Sequence, residues 1–478
     1  MPSLRDRVAA EFAGARLGNR LRVLRAQSTA GQLVTTAGHS LPRTLSPSAL
    51  QGTYRLLRTP AVLPEALLEP HQNATVQRMG AHDDVLCLHD TTEARFGGRV
   101  LRRGLGALAE GGQGFFAHFA LAVTTEGRPL GALHLYAWHR PTTAVGAKVP
   151  KKKKIAPNVR NFLEDKESLR WLEGVEAVEA RVKDTARLVH VMDREGDAFE
   201  LLAALLDRGS RFVIRACHDR RLNVGRSRVA AKVDKLFATL ASRSVVCERE
   251  VEFGPRGAHA RQSKRTARVT TLEVRGGSFV LSPAMGAVTH VPQRMPVNVV
   301  EVRERTPPEG EEPIVWRLLT TEPVQTEQDL LRVVDWYRRR WMIEEFFKVL
   351  KTGCSYESLQ LCTGHALLNA LALLIPVAWT LLDLRWMERA EPNANAEAIL
   401  TETQVELLRR TRPKPGKRAD DVLTIRQALL AIAALGGHLA HNGAPGWQTL
   451  LHGYRELLTL ERGSLLMAPR EPPKPDQS

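Results

Sequence analysis

Tyr337, Arg340, Glu344 and Lys351 have types and a spacing, Y-x2-R-x3-E-x6-K, that could cut a phosphodiester bond. At about 100° per residue on a helix, these four fall with Trp341 and Lys348 within an arc of roughly 100°. Ile343, Phe346, Phe347 and Leu350 form a separate apolar stripe. One side of such a helix packs and the other is left for chemistry. Glu344 lies near the centre of the reactive arc and Glu345 about 100° away, which picks Glu344 as the candidate metal ligand. A carboxylate beside lysine and arginine suits a site that holds both a cation and a phosphate. The same composition also makes a solvated surface helix laced with i,i+3 and i,i+4 ion pairs, so the flanking chain has to decide.

Two aspartates offer partners. Asp90 closes the apolar run VLCLH (85–89), and Asp193 closes RLVHVM (187–192). Acids at or near strand ends aim side chains into a shared cleft. Three converging carboxylates repel one another. Two divalent cations about 3.5–4 Å apart relieve that repulsion, polarise a phosphate and activate a water or a 3′-hydroxyl. Oxygen-only ligands favour Mg²⁺ or Mn²⁺ over Zn²⁺. The local alternatives are a helix N-cap for Asp193 and an Asx-type turn with Thr92 for Asp90.

The elements that must position these residues are legible as pattern. FFAHFALAV and LGALHLYAW, joined by the turn TTEGRP, complete a three-strand meander with VLCLH. RLVHVM, the amphipathic AFELLAALLDRG ending at Gly209, and RFVIRAC (211–217) predict a strand, helix and strand in parallel crossover. From about 219 to 313 the alternating runs VVCEREVEF, ARVTTLEVR and VNVVEVRER predict a β-rich insertion. After WRLLTTEP come a long helix carrying Glu344, an apolar helix over 366–387 and a last helical segment to about 465.

A chain of 478 residues is too long for one core and is expected to divide into about three domains. With 25% charged and 43% hydrophobic residues it has the composition of a soluble globular protein. The net charge of +16 and pI near 10.0 point to a polyanionic partner, nucleic acid or anionic membrane. Five scattered cysteines without a C-x-x-C pair indicate neither a zinc knuckle nor a disulfide framework, and imply a reducing compartment. The N-terminus lacks an apolar signal-peptide core. The run 366–382 carries Asn369 and Pro376 and is short for a membrane span, so it is expected to be a buried helix. Residues 1–75 carry Arg5, Arg7, Arg16, Arg20, Arg22, Arg25, Arg43, Arg55 and Arg58 with no lysine, which suits contact with phosphates and guanine edges. The lysine run at 151–154 lies in a polar connection that could graze DNA.

The meander with Asp90, the crossover with Asp193, the β insertion and the Y-x2-R-x3-E-x6-K helix together resemble the cut-and-paste DDE transposases of insertion sequence family four, of the transposon-five type. The resemblance covers nearly the whole chain. The tryptophan of IVWRLLTTEP lies 21 residues before Tyr337, as in the family pattern. It implies an α/β fold with an RNase H-like mixed-sheet core and a catalytic triad of Asp90, Asp193 and Glu344 binding two Mg²⁺ or Mn²⁺ ions. The implied division is a helical DNA-end-binding domain over 1–75, a catalytic domain over 76–385, a helical dimerisation region over 386–465 and a disordered tail over 466–478. Tyr337, Arg340 and Lys351 would grip phosphates near the transposon end, with Lys348 assisting, and Trp316 would accept a flipped base during hairpin closure. Arg215 matches a family arginine near the active site, and Trp341 an aromatic beside the phosphate-binding arginine. LGNRLRVLR and QGTYRLLRTP echo the family without an identifiable base-reading code.

The resemblance further implies double-stranded DNA ends with inverted repeats and target DNA as partners, a homodimer in the synaptic complex, no membrane, and action in the bacterial cytoplasm at the nucleoid. His89, His118, His134 and His139 could suggest a metal cluster, but the family does not use them so, and strand histidines are more often structural. Two rivals remain: a nuclease of the same core without strand transfer, and a DNA-binding regulator that no longer cuts.

Overall fold

The computed structural model describes residues 3–36, 38–98, 101–108, 111–140, 169–222, 234–254, 265–282, 292, 294–411, 422–439, 441 and 445–467. The lysine run at 151–154, the first half of the basic stretch RQSKRTAR and residues 468–478 of the expected tail lie outside them.

Among the described residues, ten strands form one mixed sheet. Strand β1 (Val85–Phe96) pairs antiparallel with β3 (Gln113–Thr124), which carries the two-residue β2 (Gly106–Ala107) on one part of its free edge and β4 (Pro129–Trp138) on another. On its other edge β1 runs parallel to β5 (Leu188–Met192), and β5 parallel to β6 (Arg211–Arg215). The order β4-β3-β1-β5-β6, three antiparallel strands continued by two parallel ones, is the RNase H-like arrangement. The crossover helix Phe199–Arg208 stops at Gly209, whose φ of 68° is the left-handed conformation that glycine takes without a Cβ clash.

The β-rich insertion does not build a separate sheet. Its strands β7 (Cys247–Phe253), β8 (Arg268–Leu281) and β9 (Met295–Glu304) stack antiparallel onto β10 (Val315–Thr320), which returns to pair with β6. The alternation that marked these strands fits an extension with one face covered and one in water.

Two expectations are corrected. The strand expected to end at His89 runs on to Phe96, because antiparallel pairing with β3 continues that far, whereas parallel pairing with β5 stops at His89 and Met192. Asp90 is therefore inside β1, at the level where the sheet opens along one edge only. The single helix expected around Glu344 is two helices, Glu327–Arg339 and Trp341–Lys348, followed by a π turn over Val349–Gly353 that holds Lys351. Arg340 stays helical at φ −52° and ψ −31°, but its N–H bonds to Tyr337 and its carbonyl accepts from Ile343, three-residue steps that tighten the turn.

On the face of the sheet that carries these helices, one apolar cluster joins residues from the start, middle and end of the chain, including Phe12, Leu57, Phe119, Phe346, Leu374 and Leu457. Its axis is the helix Gly364–Ala390, the one described helix long and apolar enough to cross a membrane, yet 94% of its apolar window is buried inside the protein. It is a core helix, as the sequence predicts. Asn369 in its first half donates to the Leu57 and Val62 carbonyls at 3.0 and 2.9 Å, and Asp383 near its end accepts from Arg7 and Arg128. The opposite face is covered by Leu169–Arg181 and Phe199–Arg208, with Trp171, Val175, Leu202 and Phe212 in its cluster.

Candidate active site

The sheet register brings the first two acids together. His89 and Met192 form the last parallel pair of β1 and β5, so the next residues, Asp90 within β1 and Asp193 just past β5, stand side by side. Across the other edge Asp90 faces Phe119 of β3, whose ring packs edge-on against Phe346 and Phe347 at centroid distances of 5.7 and 5.4 Å. That aromatic contact lays the helix Trp341–Lys348 over the same sheet face and delivers Arg340 and Glu344 to Asp90. Arg340 then bridges the acids: Nη1 donates to Asp90 Oδ2 at 3.2 Å, and Nη2 donates to the Glu344 carboxylate.

Electrostatics report the same convergence. Burial pushes the Asp90 carboxyl up to about 7, helped by the charges of Asp193 and Glu344 and opposed by Arg340 and the Thr91 N–H. Burial works against charge on Arg340, but Tyr337, Glu344 and Asp90 outweigh it and hold the guanidinium more firmly protonated than usual. Asp193 caps the short 3₁₀ turn Arg194–Gly196, with one oxygen accepting from Glu195 N at 2.8 Å. The cap and the cleft position are compatible, because a carboxylate has two oxygens. Three oxygen-donor groups with a fixed positive charge between two of them form a donor set that fits a hard divalent cation.

Other residues singled out by sequence surround this centre. Trp316, half-buried on β10, stands edge-on to Tyr337 at 5.6 Å. Tyr337 itself is buried. Arg215 ends β6 and donates to the Val315 carbonyl at 3.2 Å. Burial lowers its pKa, the Tyr337 phenol offsets part of that, and Arg194 and Arg340 add to the lowering. Lys351 donates to the Glu93 carbonyl at 2.6 Å and lies 3.6 Å from Glu357, tying the π turn to the strand that carries Asp90. Lys348 and Trp341 are exposed, the indole at 59%. Asp90, Asp193, Glu344, Arg340, Tyr337, Trp316 and Arg215 thus form one connected group, with Lys351 bound to its flank.

Two features escaped the sequence reading. Asp197 is buried and accepts from the backbone of Cys217 and His218 at 2.6 and 2.9 Å while pairing with buried Arg220. It ties the turn after Asp193 to the segment after β6. Its signal was the second aspartate of DREGD. His190 joins His89 and His118 in a buried cluster on the sheet face opposite the acids, with the partly exposed His134 beside it, whereas His139 is exposed. Strand alternation separates the two sets, since His89 and His190 lie one and three positions before the aspartates.

Residues 176–379 match the family model of the transposase DDE domain, a stretch that holds Asp193 and Glu344 and begins after Asp90. Enzymes with this domain break and transfer phosphodiester bonds and generally use divalent metal ions. The matched stretch, under half of the 478 residues, is similar to that domain.

Proposed function

We propose that the chain is a cut-and-paste DNA transposase with Asp90, Asp193 and Glu344 as its catalytic acids. It nicks one strand at the transposon end, uses the freed 3′-hydroxyl to close a hairpin, reopens that hairpin, and joins the end to target DNA. The observation that carries the reading is the Arg340 bridge between Asp90 and Glu344 beside Asp193, in a setting where each acid raises the proton affinity of Asp90. Mg²⁺ or Mn²⁺, two ions as the resemblance implies, would be held by these three residues and would supply charge neutralisation and an activated water or hydroxyl.

The remaining residues bind and orient DNA in this proposal. Arg340, Lys348 and Lys351 contact phosphates near the end, and Trp341 offers an exposed aromatic beside them. Trp316 takes up a flipped base, with Tyr337 as its buried prop, and Arg215 supports both from β6. In each transfer an oxygen nucleophile forms a bond to phosphorus as the bond to the leaving oxygen breaks, so one acidic centre can serve water and 3′-hydroxyl alike. The arginine-rich helices over 1–75 recognise the inverted repeats, 76–385 cuts, and 386–465 joins two protomers in the synaptic complex, acting on cytoplasmic DNA.

Asp90→Ala, Asp193→Ala and Glu344→Ala are each expected to abolish nicking while leaving binding of end DNA within a few-fold, as measured by gel shift and cleavage on labelled ends. Full nicking in any one of them sinks the triad. Joining of precleaved 3′-hydroxyl ends separates a transposase from a nuclease of the same core.

A further inference from the structure

Behind the acids, on the other face of β1 and β5, lies a cluster that catalysis does not use. Cys87, His89, His118 and His190 are all at 0% exposure in the centre of the sheet. Cys87 and His190 are direct partners in the parallel register. Cys87 Sγ lies 3.4 Å from His89 Nε2, which lies 2.9 Å from His190 Nδ1. Gly174 of the covering helix leaves the space these rings occupy, since a Cβ there would stand 3.0 Å from His118 and 3.5 Å from His89 Nδ1. Burying a thiol and several imidazoles in an apolar core is costly unless their polar atoms gain partners, and His190 Nε2 has the Glu179 carboxylate 3.4 Å away.

We infer that Cys87, His89 and His190 form a buried Zn²⁺ site that cross-links the two strands carrying Asp90 and Asp193. The three donor atoms lie within 4.8 Å of one another, and a thiolate with two imidazoles is a zinc ligand set rather than a magnesium one. The surroundings offer partners for the tautomers such a site needs, in place of the hydrogen bond that His89 Nε2 and His190 Nδ1 share at 2.9 Å without metal. With its proton on Nδ1, His89 faces His118 Nε2 at 3.4 Å, and His118 then carries its own proton on Nδ1 toward Thr91 Oγ1 at 3.0 Å. With its proton on Nε2, His190 faces the Glu179 carboxylate at 3.4 Å. This leaves His89 Nε2 and His190 Nδ1 as bare lone pairs beside Cys87, and gives His190 the carboxylate partner that orients metal-bound histidines. Burial also keeps His89 and His118 neutral, with His118 lowered to about 3, and neutral imidazole is the ligating form. Cys87, whose thiol is held protonated by burial, would release one proton to solvent as the metal–sulfur bond forms. The site would fix the β1–β5 register from behind, and with it the spacing of the two aspartates.

The test uses the full chain produced in zinc- or cobalt-supplemented medium. The zinc protein should carry about one equivalent by elemental analysis, with one sulfur and two imidazole neighbours in X-ray absorption. The cobalt protein should show a thiolate-to-cobalt band in the near ultraviolet. Cys87→Ser should remove that band. Cys217→Ser, which deletes the thiol of the separate Asp197, Cys217 and His218 group, should keep it. Glu344→Ala should keep it too, so loss of the catalytic acids and loss of this site read out separately. A wild-type chain without stoichiometric metal, a sulfur-free zinc shell, or a band that survives Cys87→Ser would overturn the inference. The wild-type measurements decide even if a variant fails to fold.

Discussion

Arg340 sets a permanent positive charge between two of the three acids, hydrogen-bonded to Asp90 at 3.2 Å and to Glu344. A guanidinium there competes with a divalent cation for the same oxygens and, once displaced, is free to meet a phosphate. Two opposite effects should follow from Arg340→Ala. Mn²⁺ affinity without DNA is expected to rise at least about fivefold, since removing one unit of like charge at a few ångströms relieves at least roughly 1 kcal/mol in a mostly buried site. Cleavage of end DNA is expected to fall at least about tenfold, because a charge-assisted contact to phosphate is lost. Mn²⁺ binding followed by electron paramagnetic resonance, beside a nicking assay, checks both, and unchanged or weaker Mn²⁺ binding would refute the competition. That Glu344 shares a face with Arg340 was legible from helical angle alone. The pairing of Arg340 with acids was not, because spacing along one helix says nothing of Asp90 on a strand 250 residues away. Asp197 and His190 were hidden for a related reason: their roles depend on which strands are neighbours.

Elements were legible where a local period reports them. The meander and the crossover read directly from strand alternation and from Gly209 after an amphipathic run. The break at Arg340 carries no glycine or proline to announce it, and it arises from fitting Tyr337, Ile343 and Phe346 into one core. Sheet order for the insertion was equally hidden, since alternation gives a strand its faces and not its partner. How the elements are held can be tested at Asp383, whose side chain is 2% exposed and pairs with Arg7 of the first helix and Arg128 of the turn between β3 and β4. The double variant Arg7→Ala/Arg128→Ala leaves that carboxylate buried without an ionic partner, and is expected to cost about 2–3 kcal/mol, the lower side for a buried pair because both arginines are partly exposed. Asp383→Asn, which keeps the shape and removes the charge, should cost less. Thermal and urea unfolding of the two proteins should rank them in that order, and the reverse order would show that the ion pairs do not clamp these elements.

Across the whole molecule the charge of +16 is the strongest sign of a DNA partner, and its placement at the N-terminus is open to test. Deleting residues 1–70 would be a poor probe, because Leu4, Phe12, Leu56 and Leu57 belong to the same apolar cluster as the core helix Gly364–Ala390, and their loss would expose that cluster. Arg20, Arg43, Arg55 and Arg58, by contrast, are exposed, so alanine in their place removes charge with little effect on packing. Each arginine that neutralises a DNA phosphate contributes about 0.9 to the slope of log K against log salt. The fourfold alanine variant should therefore keep its Tm to within a few degrees, lose end-DNA affinity steeply at low salt, and show a slope smaller by roughly 0.9 for every one of the four that touches a phosphate. Affinity measured by fluorescence anisotropy from low to moderate salt reads the slope, and a scrambled duplex measured in parallel separates recognition from simple attraction. If affinity for end and scrambled DNA falls in parallel, these arginines anchor the backbone and base reading lies elsewhere on the module. If neither slope nor affinity changes, the N-terminal helices are not the DNA-docking surface, and the charge that binds the ends must come from the cleft around Arg340, Lys348 and Lys351.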